Sequence, residues 1–200
     1  MSYNKYYEQW AKDPLSFWNE RAKDVSWIQH YKKTLHKTHN YYEWFYQGKL
    51  NTCYNCIDRH VENGKGEKVA IIYDSPITNT KDKISYKQLL KKVSSLAASL
   101  SNMGVKKGDT VILYMPMIPE VIISMLACAR IGAIHSVVFG GFAAEELASR
   151  ISDVLPKVII SASCGLEPKR IIDYKEILDK ALSLTSHKPL KQIIYQREKY

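Results

Sequence analysis

Two adjacent glycines form the most informative candidate site. Gly140 and Gly141 lie between Phe139 and Phe142, after a predicted strand and before a predicted helix. In open α/β sheets, ligands bind in the crevice at the carboxyl ends of the strands, and glycine allows close backbone approach because it has no Cβ. The pair is therefore a candidate ligand-binding turn. A tight strand-to-helix turn without a ligand is the alternative that these residues leave open.

A second candidate site is basic. Residues 161–170 also follow a predicted strand, and they end in the adjacent cations Lys169 and Arg170, which we place on a loop. Two cations beside the carboxyl edge of a sheet can hold a phosphate through charge-assisted hydrogen bonds. A solvated pair on an ordinary loop is the alternative.

Other chemistries have little support. Cys53, Cys56 and His60 would lie on roughly one face of a helix, but a structural zinc site needs four ligands and the other two cysteines lie far along the chain. No GxGxxG, GxxxxGKS/T or GxSxG motif follows a strand, which disfavours a dinucleotide site, a P-loop and a serine hydrolase. We predict no metal ligand and no catalytic residue, and we expect His135 to be a core residue.

The elements that position these candidates alternate between strand and helix from residue 68 onward. Apolar runs predict strands at 69–73, 110–115, 133–139, 158–161 and 192–195, and helical patterns lie at 85–103, 119–131, 143–155 and 177–182. The run 110–115 is apolar without alternation, which is typical of a parallel strand covered on both faces. The predicted fold class is α/β, a doubly wound and mostly parallel sheet.

The N-terminal segment has a different composition. Residues 1–46 hold all four Trp, seven of the fourteen Tyr and two of the four Phe. They show only short helical patterns, one beginning at Asp13-Pro14, where an N-cap residue precedes a proline. We expect an aromatic-rich helical extension that packs on a larger core, and we predict an extension at 1–66 and an α/β part at 67–200.

Composition narrows the classes of function. The 200 residues carry a net charge of +9, but the basic residues are scattered, so we predict no nucleic-acid partner and keep a nucleic-acid-binding domain as the weakest alternative. The longest apolar stretch is far too short to span a membrane, so no membrane partner is predicted. Four cysteines and no secretory signal favour the cytoplasm, with the mitochondrial matrix as the alternative.

Five ordered segments resemble the N-terminal portion of short-chain acyl-CoA synthetases, the acetyl-CoA/propionyl-CoA synthetase group of the AMP-binding, adenylate-forming superfamily. They lie at residues 13–18, 50–60, 114–120, 127–135 and 137–142, and two further segments at 73–76 and 187–189 resemble the propionyl-CoA synthetase branch. The resemblance covers nearly the whole chain. It implies the truncated N-terminal part of an adenylate-forming enzyme fold.

The resemblance also implies a two-step ligase reaction. ATP converts a carboxylate to an acyl-adenylate with release of pyrophosphate, and the thiol of CoA then displaces AMP. The segments that line the CoA site in this family correspond to Phe139, Gly140 and Gly141 and to Glu167, Pro168, Lys169 and Arg170. Arg170 matches a family arginine, whereas Lys169 stands where the family usually has glycine and Glu167 where acetyl-CoA synthetases have another arginine.

Part of the family pattern does not occur in these 200 residues. The phosphate loop of the type SGTTGxPK is absent, as are the acyl pocket and the C-terminal domain with its catalytic lysine. We therefore expect an N-terminal fragment, inactive alone, of an enzyme that uses CoA, ATP with Mg²⁺ and a small carboxylate such as propionate or acetate. The alternative is a non-catalytic module that binds CoA or pairs with a full-length synthetase.

Overall fold

The computed structural model describes residues 2–198 and divides into two compact units between Arg59 and His60. Within the described residues, no helix has the length and apolar character that crossing a membrane requires.

The first unit combines two helices with a β-hairpin. Its elements are α1 (Tyr3–Lys12), α2 (Pro14–Arg21), a 3-10 turn (Ala22–Asp24), β1 (Lys33–Lys37), β2 (Tyr42–Tyr46) and a π-helical turn (Tyr54–Asp58). The expected start of α2 is confirmed, because the Asp13 carboxylate accepts a hydrogen bond from the Ser16 amide at 3.1 Å and Pro14 is the first helical residue.

The expectation of only short helical patterns in residues 1–46 is wrong for its second half. β1 and β2 pair antiparallel, with Leu35 opposite Trp44. Aromatic side chains favour strands because they pack well on a pleated surface, and β2 has the sequence YEWFY. The Phe45 ring lies 5.1 Å from the Tyr31 ring and 5.5 Å from the Trp27 ring, centre to centre. These rings form an aromatic cluster in which Tyr31 is buried and Trp27 and Phe45 are half-buried.

The second unit is built on a four-stranded parallel sheet. Its elements are a π-helical turn (Val61–Lys65), β3 (Val69–Ser75), β4 (Thr80–Ser85), α3 (Tyr86–Asn102), β5 (Thr110–Tyr114), α4 (Pro119–Ile131), β6 (Ile134–Val138), α5 (Ala144–Val154), β7 (Val158–Ala162), β8 (Cys164–Glu167), β9 (Arg170–Asp173), α6 (Tyr174–Leu184) and β10 (Lys191–Tyr195). The strand order is β10-β7-β5-β6, and each neighbouring pair is parallel. The predicted α/β fold with a parallel sheet is confirmed.

The two central strands hold the core of this unit. In β5 the residues Val111 to Tyr114 are fully buried, and every residue of β7 is buried. The chain moves one way from β5 to β6 and the opposite way from β6 to β7, so right-handed crossovers put α4 and α5 on opposite faces. In agreement, α3 packs on α4 and α5 packs on α6.

The helix boundaries follow local signals that the sequence shows. Ser85 and Gln88 form a reciprocal capping box at the start of α3. Helix α4 begins at Pro119 and ends at Ile131, where Gly132 adopts a left-handed conformation with φ of 74°. That conformation strains residues with a Cβ, which is why glycine is favoured at this position.

Two strands differ from their expected surroundings. β3 lies outside the parallel sheet and pairs antiparallel with the polar strand β4. β6 ends the described sheet, so only one of its edges is paired, and Ile134 and Val137 are half exposed. His135 on β6 is accordingly half-buried and not the core residue we expected, although its burial still lowers its pKa.

A partly buried ion pair connects the amino ends of β5 and β7. The Asp109 carboxylate accepts hydrogen bonds from Lys157 Nζ at 2.9 Å and from the Lys106 amide at 2.7 Å. Both side chains of the pair are about 30% exposed, Asp109 at 30% and Lys157 at 28%. The hydrogen bond from Lys157 is the main reason that the pKa of Asp109 is lowered from 3.8.

We predict that Asp109→Asn lowers the melting temperature of the 200-residue chain at neutral pH. A lowered folded-state pKa stabilises the fold above the unfolded pKa, and that contribution disappears as the pH falls through the folded pKa. The difference in melting temperature between the parent and the variant should be full above roughly pH 5 and should shrink below roughly pH 4.

The matched control is Asp153→Asn, which removes an exposed carboxylate from α5. Thermal melts followed by circular dichroism between pH 3 and pH 7 compare the three proteins. A pH-independent loss in Asp109→Asn, or an equal loss in Asp153→Asn, would contradict the role of the ion pair.

Candidate functional site

Both candidate segments lie at the carboxyl edge of the parallel sheet. β6 ends at Val138, directly before the turn at 139–142, and β7 ends at Ala162, two residues before β8 begins. β5 lies between these strands and ends at Tyr114, and all three run in the same direction. The structure thus brings the two segments to one edge, as expected for a ligand crevice.

The turn after β6 presents one aromatic ring to solvent. Phe139 is 71% exposed, and its carbonyl accepts a hydrogen bond from the Phe142 amide at 3.1 Å. The rings of Phe139 and Phe142 meet edge to face, 5.9 Å apart. An exposed aromatic face of this kind is suited to stacking against a planar ligand group.

In this turn, neighbouring side chains occupy the space that a Cβ would need at both glycines. Neither Gly140 nor Gly141 has a positive φ. A Cβ on Gly140 would lie 2.0 Å from the Tyr174 hydroxyl, and a Cβ on Gly141 would lie 2.5 Å from the Phe139 ring. Gly140 is buried, so its missing side chain makes room for Tyr174.

The second candidate segment is a β-hairpin where we expected a loop. β8 and β9 pair antiparallel, with Glu167 opposite Arg170, and Pro168 and Lys169 form the turn. The sequence gives little sign of it because each strand has only four residues and the turn contains no glycine. The hairpin holds Lys169 at an exposed tip.

Arg170 is already paired within the hairpin. Its Nε donates to Glu167 Oε2 at 2.7 Å and its Nη2 to Glu167 Oε1 at 3.4 Å. These hydrogen bonds raise the pKa of Arg170 and lower the pKa of Glu167. Lys169 forms no ion pair with any residue that the structure describes, so the tip carries one unbalanced positive charge.

Two stacked tyrosines lie beneath the edge. The rings of Tyr114 and Tyr174 are 4.8 Å apart with an interplanar angle of 27°. The Tyr114 hydroxyl donates to the carbonyls of Phe142 at 3.1 Å and Gly140 at 3.4 Å. Burial raises the pKa of Tyr114 to about 12 and also raises that of Tyr174, so both are neutral at physiological pH.

Ser163, between β7 and β8, connects several elements. Its carbonyl accepts hydrogen bonds from the Tyr174 and Lys175 amides, and its amide donates to the Tyr195 carbonyl at 2.9 Å. Its hydroxyl accepts from the Arg197 amide at 3.0 Å. This buried serine is structural, in agreement with the absence of a nucleophile motif.

A cavity of about 270 Å³ lies to one side of these segments. Its walls come from the β3–β4 hairpin, the start of α4, Leu166 of β8, and the end of β10 with the residues that follow it. The Thr78 hydroxyl in its lining is buried without a hydrogen-bond partner. None of the seven candidate residues lines the cavity, although Leu166 is the chain neighbour of Glu167 in β8.

The cysteines show no sign of a metal site or a disulfide. Cys53 is buried and Cys56 is exposed, and none of the four cysteines forms a disulfide. In the part of the chain that the structure describes, no group of three or more potential metal-ligating side chains comes together.

The sequence motifs do not identify the residues that lie beneath the carboxyl edge of the sheet. Tyr114, Gly165 and Tyr174 were not among the candidates, although Gly165 lies within the basic segment at 161–170. A Cβ on Gly165 would lie 2.6 Å from the Tyr174 ring, so the two glycines at 140 and 165 contact the same side chain. The contact of Tyr174 with Gly140 joins residues that are distant in the chain, and no local sequence pattern predicts it.

Comparisons with known proteins agree with this architecture. The family model described as "Acetyl-coenzyme A synthetase N-terminus" matches residues 3–56, and the one described as "AMP-binding enzyme" matches residues 57–199. The human protein "Acyl-CoA synthetase short-chain family member 3, mitochondrial" is 53% identical over 196 residues, which cover 98% of this chain and 29% of that protein. "Propionate--CoA ligase" of Escherichia coli strain K12 is 41% identical over 198 residues, which cover 98% of this chain and 31% of that protein.

Among solved structures, the acetoacetyl-CoA synthetase from Streptomyces lividans matches with a TM-score of 0.79 at 22% identity, over 93% of this chain and 31% of that chain. The fold is therefore shared with the N-terminal region of a larger enzyme. This chain spans about three-tenths of the length of the curated relatives that it matches. With its second unit matched along nearly its whole length, the chain belongs to the AMP-binding enzyme family.

Proposed function

We propose that this chain is the N-terminal part of an AMP-forming short-chain acyl-CoA synthetase and that it supplies part of the CoA site. The complete enzyme would join a small carboxylate, propionate in the first instance, to CoA. ATP would activate the carboxylate as an acyl-adenylate with loss of pyrophosphate, and the CoA sulfur would then attack the acyl carbon and release AMP. No residue of this chain is proposed to bind ATP.

The observation that carries the proposal is the position of the two segments at one edge of the sheet. An exposed aromatic ring at Phe139 and an unbalanced cation at Lys169 suit a ligand with a planar base and several phosphates. CoA has both groups. The residues proposed to line its site are Phe139, Gly140, Gly141, Glu167, Pro168, Lys169 and Arg170, with Gly140 contributing backbone atoms because Tyr174 fills its side-chain space.

The ion pair in the hairpin changes which cation we expect to meet a phosphate. The Glu167 carboxylate already occupies Arg170, so a phosphate must compete for that guanidinium. Lys169 is exposed and bears a full charge at the tip of the turn. We therefore propose Lys169 as the main phosphate contact and Arg170 as a second one that Glu167 attenuates.

A completed enzyme tests the proposed activity. Residues 1–200 of this chain are joined to the remainder of the Escherichia coli propionate–CoA ligase, which they match over 98% of their length. We expect this chimaera to catalyse propionate-dependent exchange of pyrophosphate into ATP and to form propionyl-CoA when CoA is added. We expect the 200-residue chain alone to do neither, because its sequence has no phosphate loop.

Heat-inactivated samples and the unmodified ligase are the controls. Pyrophosphate exchange by the 200-residue chain above the heat-inactivated background would contradict the proposal that this chain does not bind ATP. A correctly folded chimaera that forms the acyl-adenylate but never transfers the acyl group to CoA would contradict the proposed CoA site.

Charge substitutions in the hairpin test the phosphate contact. In the chimaera, Lys169→Ala should raise the KM for CoA by roughly three- to tenfold, the range expected for one exposed charge-assisted contact. Glu167→Gln should lower that KM by about threefold, because Arg170 then loses its internal partner and becomes available to phosphate. The rate of the adenylation half-reaction should stay unchanged in both variants.

Two remote substitutions are the matched controls. Glu67→Gln removes an exposed carboxylate that is also paired, with Lys87 at 3.4 Å, and Lys83→Ala removes an exposed cation from β4. Both should leave the KM for CoA unchanged. A KM that rises in Glu167→Gln, or that is equal in Lys169→Ala and Lys83→Ala, would overturn the assignment.

A further inference from the structure

We infer that Tyr174 is the positioning residue of the CoA site, in that its ring holds the turn at 139–142 and the β8–β9 hairpin in one fixed arrangement. The inference rests on the proposed function for its role toward CoA, while the packing that it describes stands independently. Tyr174 is the first residue of α6 and follows β9 directly.

The ring of Tyr174 contacts each segment at a glycine, Gly140 in the turn and Gly165 in β8. Its hydroxyl occupies the space where a Cβ of Gly140 would lie, at 2.0 Å from that position. Its Cε1 atom lies 2.6 Å from the corresponding position at Gly165, in β8. Real Cβ atoms essentially never come within 3.0 Å of another heavy atom, so both positions accept only glycine while the ring stays in place.

Two further contacts and the burial of Tyr174 restrict movement of its ring. Its flat face stacks on Tyr114, which ends the fully buried strand β5. Its backbone amide donates to the Ser163 carbonyl at 3.1 Å. The side chain is only 5% exposed, so movement of the ring would require surrounding groups to shift as well.

The consequence for binding is geometric. Phe139 and Lys169, proposed to contact different parts of one CoA molecule, stand on two segments that both pack against the Tyr174 ring, which in turn stacks on Tyr114. Loss of the ring would let the two segments move independently. The completed site would then have to be ordered by CoA itself, which weakens binding without affecting a step that precedes CoA.

Hydrogen exchange on the 200-residue chain tests the packing directly. In Tyr174→Leu, amide exchange at 139–142 and at 164–167 should accelerate by about tenfold or more, while the amides of β5 and β7 keep their protection. Tyr174→Phe retains the ring and should stay within about twofold of the parent. Tyr86→Leu, which removes a tyrosine ring from the first position of α3, is the matched control and should leave both segments unchanged.

A glycine substitution tests the same contact from the other side. Gly165→Ala places a methyl group against the Tyr174 ring and should accelerate exchange at 139–142, a segment that it does not itself belong to. Gly66→Ala is its control, because a Cβ there meets neighbours at an ordinary 3.6 Å. Gly140→Ala should have a smaller effect in the Tyr174→Leu background than in the parent, since the obstructing hydroxyl is then gone.

The kinetic test uses the chimaera with the Escherichia coli ligase. Tyr174→Leu should raise the KM for CoA by about fivefold or more and leave pyrophosphate exchange within about twofold, while Tyr174→Phe behaves as the parent. Unchanged exchange at 139–142 in both Tyr174→Leu and Gly165→Ala would overturn the inference, as would an equal loss of adenylation and CoA transfer. If Tyr174→Leu loosens both segments but neither it nor Lys169→Ala changes the KM for CoA, the packing stands and the proposed CoA site fails.

Discussion

The stacking of Tyr174 on Tyr114 is the contact on which the candidate site depends. β5 is hydrogen-bonded to strands on both sides, and its last residue, Tyr114, is fully buried. Tyr174 lies flat against that ring and fills the space left by the glycines at 140 and 165. The rigidity of the central strand is passed in this way to the turn at 139–142 and to the β8–β9 hairpin. Burial keeps both hydroxyl groups protonated, so the arrangement does not change with pH in the physiological range.

The charges at this edge are set by the β8–β9 hairpin and not by the packing of the two tyrosines. The hairpin holds Glu167 opposite Arg170, and the resulting ion pair leaves Lys169 as the unbalanced cation at the tip. The pair is exposed, so its contribution to stability is small, and its main effect is to decide which cation is available. A buried aromatic contact thus sets position, and an exposed ion pair sets charge. The two can be changed independently by mutation, so that positional and electrostatic contributions to the proposed binding of CoA can be measured separately.

Much of the second unit could be predicted because its signals are local. Pro119, Gly132 and the capping box of Ser85 and Gln88 mark helix ends through interactions within a few residues, and the apolar run of β5 indicates burial on both faces. The β8–β9 hairpin and the β1–β2 hairpin were not predicted, because short strands rich in charged or aromatic residues carry no clear alternation. The candidate residues were found from motifs, whereas Tyr174 was not, since its partners Tyr114 and Gly140 lie in segments that are distant in the chain. Tertiary contacts of this kind have no signature in a single sequence.

The central claim is that the two segments at the carboxyl edge together hold CoA. A crystal structure of the chimaera with CoA bound tests it most directly, because it locates the phosphates and the base in one measurement. The account predicts a CoA phosphate oxygen within hydrogen-bond distance of Lys169 Nζ, the adenine against the Phe139 ring, and Tyr174 in contact with both glycines. CoA bound elsewhere in the enzyme, with Lys169 and Phe139 still facing solvent, would contradict it.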